Sequence, residues 1–130
     1  MHWSGWPLER LLILFVGAAY ILIGVQVTMS HYRQQFHHKA MLAPVIASPL
    51  FVISGIALAF SRSGLLLGIF TVLMWIGVVA GMGGLYYHLH GVGVRVGGFA
   101  GRNFLVGPPV VMPIVFTAMA ALGLIAVYWG

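Results

Sequence analysis

Four uncharged apolar runs, each about twenty residues long, make up most of this 130-residue chain: residues 11–29, 41–60, 65–87 and 110–129. An α-helix rises about 1.5 Å per residue, so each run can cross a hydrocarbon core of about 30 Å. Inside a bilayer the backbone must satisfy its own hydrogen bonds, and a helix does so within one segment. The sequence therefore predicts an all-α polytopic membrane protein, with four transmembrane helices in one bundle over residues 1–130.

Composition agrees with this prediction and excludes several classes of function. Hydrophobic residues make up 62% of the chain and charged residues 5%, a balance that a soluble protein of this size could not bury. Cysteine is absent, which excludes disulfides and thiolate chemistry. The six basic residues are spread over short loops, so we interpret the net charge of +5 as topology signals and lipid-headgroup contacts, not as a nucleic-acid surface.

An even number of crossings places both chain termini at one face of the membrane. Aromatic residues predict an interfacial belt at this face: Trp3, Trp6, Phe60, Tyr128 and Trp129. The opposite face receives the two longer loops and holds four of the six basic residues: Arg33, Lys39, Arg95 and Arg102. This bias predicts that the opposite face is cytoplasmic.

The third run carries glycines at spacings of four and three: Gly77, Gly81 and Gly84. Such a stripe has no side chains and lets another backbone approach closely. In lipid, helices associate through this tight van der Waals packing, because the hydrophobic effect does not drive them together. Two interpretations stay open, namely packing inside the bundle and a docking face for a foreign helix. Beyond this run, the glycine-rich alternation of residues 91–101 predicts an extended strand or hairpin near the membrane surface.

All six histidines lie outside the runs, and five of them lie at the face that receives the longer loops: His31, His37, His38, His88 and His90. The simplest interpretation is that they donate hydrogen bonds to headgroups, loop carbonyls or a partner. If the third helix continues, His88 and His90 point in nearly opposite directions, because they are two positions apart.

Cofactor binding is the competing interpretation of this histidine face. Haem b could be held by one histidine of the first loop and one of the third helix, with arginines meeting its propionates. A bacteriochlorophyll on one histidine, a quinone pocket and a bare metal ion are further alternatives. The candidate cofactor-binding residues are His31, His38, His88, His90, Arg33 and Arg95.

Acidic residues are nearly absent, which limits transport and catalysis. Glu9 is the only one, and it lies at the start of the first helix. A proton-coupled carrier needs a titratable group within the membrane, and no carboxylate lies inside a predicted span. No nucleophile and base are paired in the sequence either. We therefore expect no catalytic residues and no dedicated metal site, and at most a non-catalytic subunit of an oxidoreductase complex.

Three stretches of the chain form a combined pattern: His31-Tyr-Arg with Phe36-His and Ala40-Met-Leu-Ala-Pro44; His90-Gly-Val with Arg95 and Gly97-Gly-Phe; and Asn103-Phe-Leu-Val-Gly-Pro-Pro109 with Pro113. The pattern resembles an uncharacterised family of small four-span bacterial membrane proteins, over roughly residues 30–116. Members are often associated with membrane-bound dehydrogenases of the glucose–methanol–choline type. Where other members have an arginine in a His-Leu-Arg-Gly type motif, this chain has His90.

The resemblance implies a place in the bacterial inner membrane beside a redox enzyme. We expect a small accessory or anchor subunit that packs within a larger energy-transducing complex, redox or photosynthetic, with lipids and other integral-membrane subunits as partners. Two alternatives stay open. One is an electron-transfer anchor that binds haem b or quinone, and the other is a transporter of a small solute or a metal.

Overall fold

The computed structural model describes residues 3–33, 35–36, 39–95 and 110–129, with side chains except at residues 91–95. Within these residues the chain forms four α-helices: α1 (Leu8–Arg33), α2 (Leu42–Phe60), α3 (Gly64–Arg95) and α4 (Val111–Trp129). A short 3-10 helix, Lys39–Met41, precedes α2. All four helices are long and apolar enough to cross a membrane. The predicted all-α bundle with four membrane spans is confirmed.

The helices pack in an up-down-up-down arrangement. Helix α1 lies beside α2 and α4, and α3 lies beside the same two helices, so α1 and α3 are diagonal partners. Close contacts join Gly17 to Gly55 and Gly24 to Ser48, which makes α1 and α2 antiparallel. The start of α1 and the end of α4 therefore lie at one end of the bundle, and the end of α1 lies at the other.

Three aromatic rings fill the centre of the bundle. The ring of Tyr20 lies near the midpoint of α1, and its centroid is 4.9 Å from that of Phe51 in α2 and 5.3 Å from that of Phe116 in α4. Both contacts are edge-to-face, the arrangement that ring quadrupoles favour. The centroids of Phe51 and Phe116 are 5.8 Å apart, and all three side chains are buried.

Glycines bring the backbones together around this centre. A Cβ atom at Gly55 would lie 3.0 Å from the Cα atom of Gly17, so close that the backbone of α1 would have to shift by a few tenths of an ångström. On α3, a Cβ at Gly77 would lie 2.9 Å from the Cβ of Ala120, and one at Gly81 would overlap the hydroxyl of Thr117. The stripe of α3 therefore lies against α4, in the way that small residues allow helices to approach in lipid.

Helix α3 is longer than its apolar run. Residues 91–95 are helical, so the prediction of an extended strand was wrong for this part, and residues 96–101 lie outside the described residues. A continued helix pairs its own backbone amides and carbonyls, which matters more near a bilayer than the preference of glycine for other conformations. Helix α1 likewise extends past residues 11–29 at both ends.

Candidate functional site

The histidine end of the bundle is organised around His31. This residue lies in the last turn of α1, and only 8% of its surface is exposed. Its Nδ1 atom is 2.8 Å from the carbonyl oxygen of Met41, which precedes α2. A histidine that donates from Nδ1 to a carbonyl is held in the tautomer whose Nε2 can bind a metal ion, and carbonyls orient many metal-binding histidines in this way. The contact also ties the end of α1 to the start of α2.

His88 of α3 faces His31 across the bundle. The two ring centroids are 6.4 Å apart, and the ring planes are inclined by 55°. Because α1 and α3 are diagonal partners, this pair spans the interior at the loop end. The structure thus brings together two of the four histidines that the sequence marked as candidate cofactor ligands.

Two of the remaining candidates have described side chains, and both are exposed: His90 and Arg33. His90 is exposed, and its ring stacks on that of Tyr86 at 5.9 Å, one turn earlier in α3. Arg33 is exposed at the end of α1. His37 and His38 lie outside the described residues, and Arg95 lies in α3 with a side chain that is also outside them.

The chemistry available to the histidine pair is ligation by imidazole. Among the described side chains, no group of three or more His, Cys, Asp or Glu could hold a metal ion. Two imidazoles are too few for a closed zinc site, which takes four ligands. Haem would need fewer ligands from the protein, because its own ring nitrogens bind the iron, and the two imidazoles could supply the ligands that remain.

A second cluster lies at the terminal end of the bundle and caps α2. The indole Nε1 of Trp3 donates to the carbonyl of Leu58 at 2.7 Å, and the Nε of Arg10 donates to that of Ala59 at 2.7 Å. The last carbonyls of a helix have no partner within it, so these bonds satisfy groups that would otherwise need water.

Aromatic faces hold the arginine of this cap in place. The guanidinium of Arg10 lies 3.5 Å from the ring centroid of Trp6, and that of Arg62 lies 5.2 Å from the ring centroid of Trp3. Trp6 in turn packs edge-to-face on Phe60 at 5.8 Å. The sequence placed these aromatic residues in an interfacial belt but missed the cap. The feature that could have revealed the cap is the set of last carbonyls of α2, which have no partner within the helix and were predicted to lie at the depth of the belt.

Polar side chains inside the spans are mostly satisfied by their own helix. The hydroxyls of Thr28, Ser48 and Thr71 each donate to the carbonyl four residues earlier, at 2.7 Å. Tyr20 differs, because its hydroxyl donates across the bundle to the carbonyl of Phe116 at 2.6 Å. The Oγ1 of Thr117 is buried and has no hydrogen-bond partner among the described residues.

No family model, curated protein or solved structure matches this chain. The four apolar helices make it a multi-pass membrane protein in contact with lipid.

Proposed function

We propose that this protein is a small accessory or anchor subunit that packs within a larger energy-transducing complex of the bacterial inner membrane. The observation that carries this proposal is the filled centre of the bundle. At mid-membrane depth, where a carrier needs a polar substrate site, Tyr20, Phe51 and Phe116 pack against one another. The one polar group among them, the Tyr20 hydroxyl, already donates to a helix carbonyl.

The outer surface of the bundle supports an associative role. Every helix presents large apolar side chains outwards, and each has at least one that is more than half exposed, for example Leu22 at 74%, Ile53 at 66%, Val79 at 69% and Ile125 at 54%. Polar groups in the described spans bond mainly to backbone carbonyls, so they serve the fold. A bundle built in this way offers its perimeter to lipid and to neighbouring helices.

The resemblance of residues 30–116 to small four-span bacterial proteins suggests the kind of partner. Those proteins are often associated with membrane-bound dehydrogenases of the glucose–methanol–choline type. An enzyme of this kind, or a membrane subunit that accompanies it, is the partner we propose. The anchor would hold the enzyme at the surface where electrons pass to the membrane.

Photo-crosslinking in native membranes tests this proposal. A diazirine amino acid of about leucine size would replace Leu22, Ile53, Val79 or Ile125 in turn. At least one position should give a discrete product with a redox subunit, identified by mass spectrometry. The same probe at Ile13, which is only 1% exposed, is the matched control and should not reach a partner. Products with lipid or with this chain alone, at all four positions, would contradict the proposal.

The facing histidines favour a second candidate, an electron-transfer anchor that binds haem b or quinone. His31 and His88 come from diagonal helices, and their rings meet at the interior of one end. Imidazole is a common protein ligand of haem iron, so His31 and His88 would be the residues that hold the haem, and His31 already has a carbonyl partner of the kind that orients a ligand.

Absorbance spectroscopy separates the two candidates. Protein purified from cells supplied with a haem precursor would show a Soret band if haem is bound, and His31→Gln or His88→Gln would abolish that band. His90→Gln is the matched control, because His90 stacks on Tyr86 away from the pair. An accessory subunit without a haem gives no Soret band in any variant.

A further inference from the structure

We propose that two copies of this protein associate in the membrane through α1, with the side-chain amides of Gln26 hydrogen-bonded to each other across the contact. Gln26 lies inside the apolar run of α1, and its side chain is exposed on the outside of the bundle. Its Nε2 atom donates to the hydroxyl of Ser30 at 3.2 Å. Among the described residues, its Oε1 atom accepts no hydrogen bond.

Gln26 differs in this respect from other exposed polar side chains of the spans. The hydroxyl of Thr28 donates to the carbonyl of Gly24 in its own helix, and the indole of Trp75 donates to the hydroxyl of Tyr128. An amide has two donors and an acceptor with two lone pairs, so one bond leaves most of its capacity unused. Unused capacity in hydrocarbon costs free energy. The outer surface of α1 therefore has a polar position that a partner from outside the chain would satisfy.

Large apolar side chains continue the face of α1 around this amide. Phe15, Leu22 and Met29 are 53%, 74% and 55% exposed. At 3.6 residues per turn, all three lie within about 60° of Gln26 around the helix axis. They are seven residues apart, and Gln26 lies four after Leu22 and three before Met29. This is the heptad spacing with which two helices pack along a shared seam, in membranes as in soluble coiled coils, where one polar residue fixes the register.

A second copy is the partner that these features select. The amide is self-complementary, because its Oε1 accepts the bond that the Nε2 of another amide donates. Copies inserted in one orientation and related by a two-fold axis bring Gln26 to Gln26 at the same depth. A foreign helix would need a polar side chain of its own at that depth. The next residue on the line, Arg33, is exposed beyond the apolar run, where its long side chain can turn towards lipid phosphates.

Energy transfer between fluorescent copies in lipid vesicles measures this association, with or without a redox partner. Full-length protein labelled at Ser4→Cys would be reconstituted over a range of protein-to-lipid ratios, and transfer should rise to the plateau of a dimer. Gln26→Leu keeps a side chain of similar size and removes the amide, so it should weaken association about tenfold. Thr28→Val is the matched control and should leave association unchanged, since the hydroxyl that it removes bonds within α1.

A photo-crosslinking amino acid at Leu22 locates the contact in native membranes. We expect a product with twice the mass of the chain, because Leu22 lies on the seam. The matched control is the same probe at Ile21, which is 48% exposed and lies about 100° away around α1. That probe should give little or none of the double-mass product.

Three results would overturn the proposal. The first is equal association of the unchanged protein and Gln26→Leu, because headgroups or water would then satisfy the amide. The second is a Leu22 probe that reaches only lipid or only a different protein, and the third is an equal yield of the double-mass product from Leu22 and Ile21. Probes on the other three helices test the redox partner separately, so failure of this inference and failure of the proposed function are distinguishable.

Discussion

The hydroxyl of Tyr20 in α1 donates a hydrogen bond of 2.6 Å to the backbone carbonyl of Phe116 in α4. The two residues are 96 positions apart in the chain, and their rings also meet edge-to-face. One side chain thus fills the centre of the bundle and joins its first helix to its last. A helix carbonyl can accept this second bond because it has two lone pairs.

Replacing Tyr20 with Phe should destabilise the bundle without changing its fold. The ring keeps its contacts with Phe51 and Phe116, and only the hydrogen bond is lost. Such bonds between membrane helices contribute about 1 kcal/mol. Unfolding in detergent should show this loss as a lower melting temperature. Tyr32→Phe is the matched control, since Tyr32 is 73% exposed. An equal effect in both variants would mean that the Phe116 bond adds nothing.

The glycines of α3 allow a sharper test of helix packing. Gly81→Leu should destabilise the fold by about 3 kcal/mol, because even the first added carbon overlaps Thr117. Gly83→Leu places the same side chain two residues later, where a Cβ meets no atom within 4 Å. The two variants should therefore differ in stability, as measured by chemical or thermal unfolding. Equal stability would show that Gly81 faces lipid.

The two hydrogen bonds that cap α2 should depend on each other in their contribution to stability. Trp3→Phe removes the hydrogen bond to Leu58, and Arg10→Gln removes the one to Ala59. Each change should lower the free energy of unfolding by about 1 kcal/mol. The double variant should lose less free energy of unfolding than the two single variants lose in total, because Arg10 also lies 5.9 Å from the Trp3 ring. Trp129→Phe is the control for loss of an indole, as Trp129 is 67% exposed. Strict additivity would contradict a shared cap.

Hydropathy alone was enough to predict four helices, because run length and bilayer thickness are directly linked. It failed at the helix ends. His31 and Arg33 continue α1, and residues 91–95 continue α3, into a region where apolar character no longer reports on helicity. The cap of α2 was missed for a related reason, since the belt residues were assigned by depth and not by hydrogen-bond partner.

The pairing of His31 with His88 could not be predicted either, but here the reason is different. Which residues face each other depends on how each helix is rotated about its axis. A soluble helix reveals this rotation through one apolar stripe, but these helices are apolar on all sides. The glycine stripe on α3 indicated a packing face, and nothing in the sequence chose between α4 and a foreign helix.

Labelling of single cysteines tests the topology, because the chain has none of its own. Ser4→Cys and Gln35→Cys lie at exposed positions at opposite ends of the bundle. In sealed vesicles of one orientation, an impermeant maleimide should label one of the two and reach the other only after permeabilisation. If Gln35→Cys is the protected site in right-side-out vesicles, the histidine end is cytoplasmic, as the basic residues predict. Labelling of both from one side is incompatible with four crossings.

The most direct test of the central claim is the native mass of the protein extracted from its own membrane. The chain, 14.0 kDa before an affinity tag is added, would be released in mild detergent and weighed by native mass spectrometry, and it should appear in a stoichiometric complex with a second, larger redox subunit. The mass of the single tagged chain should be recovered only after that complex is dissociated in the gas phase. A spectrum of single chains or self-oligomers carrying only lipid, across several mild detergents, would contradict the account.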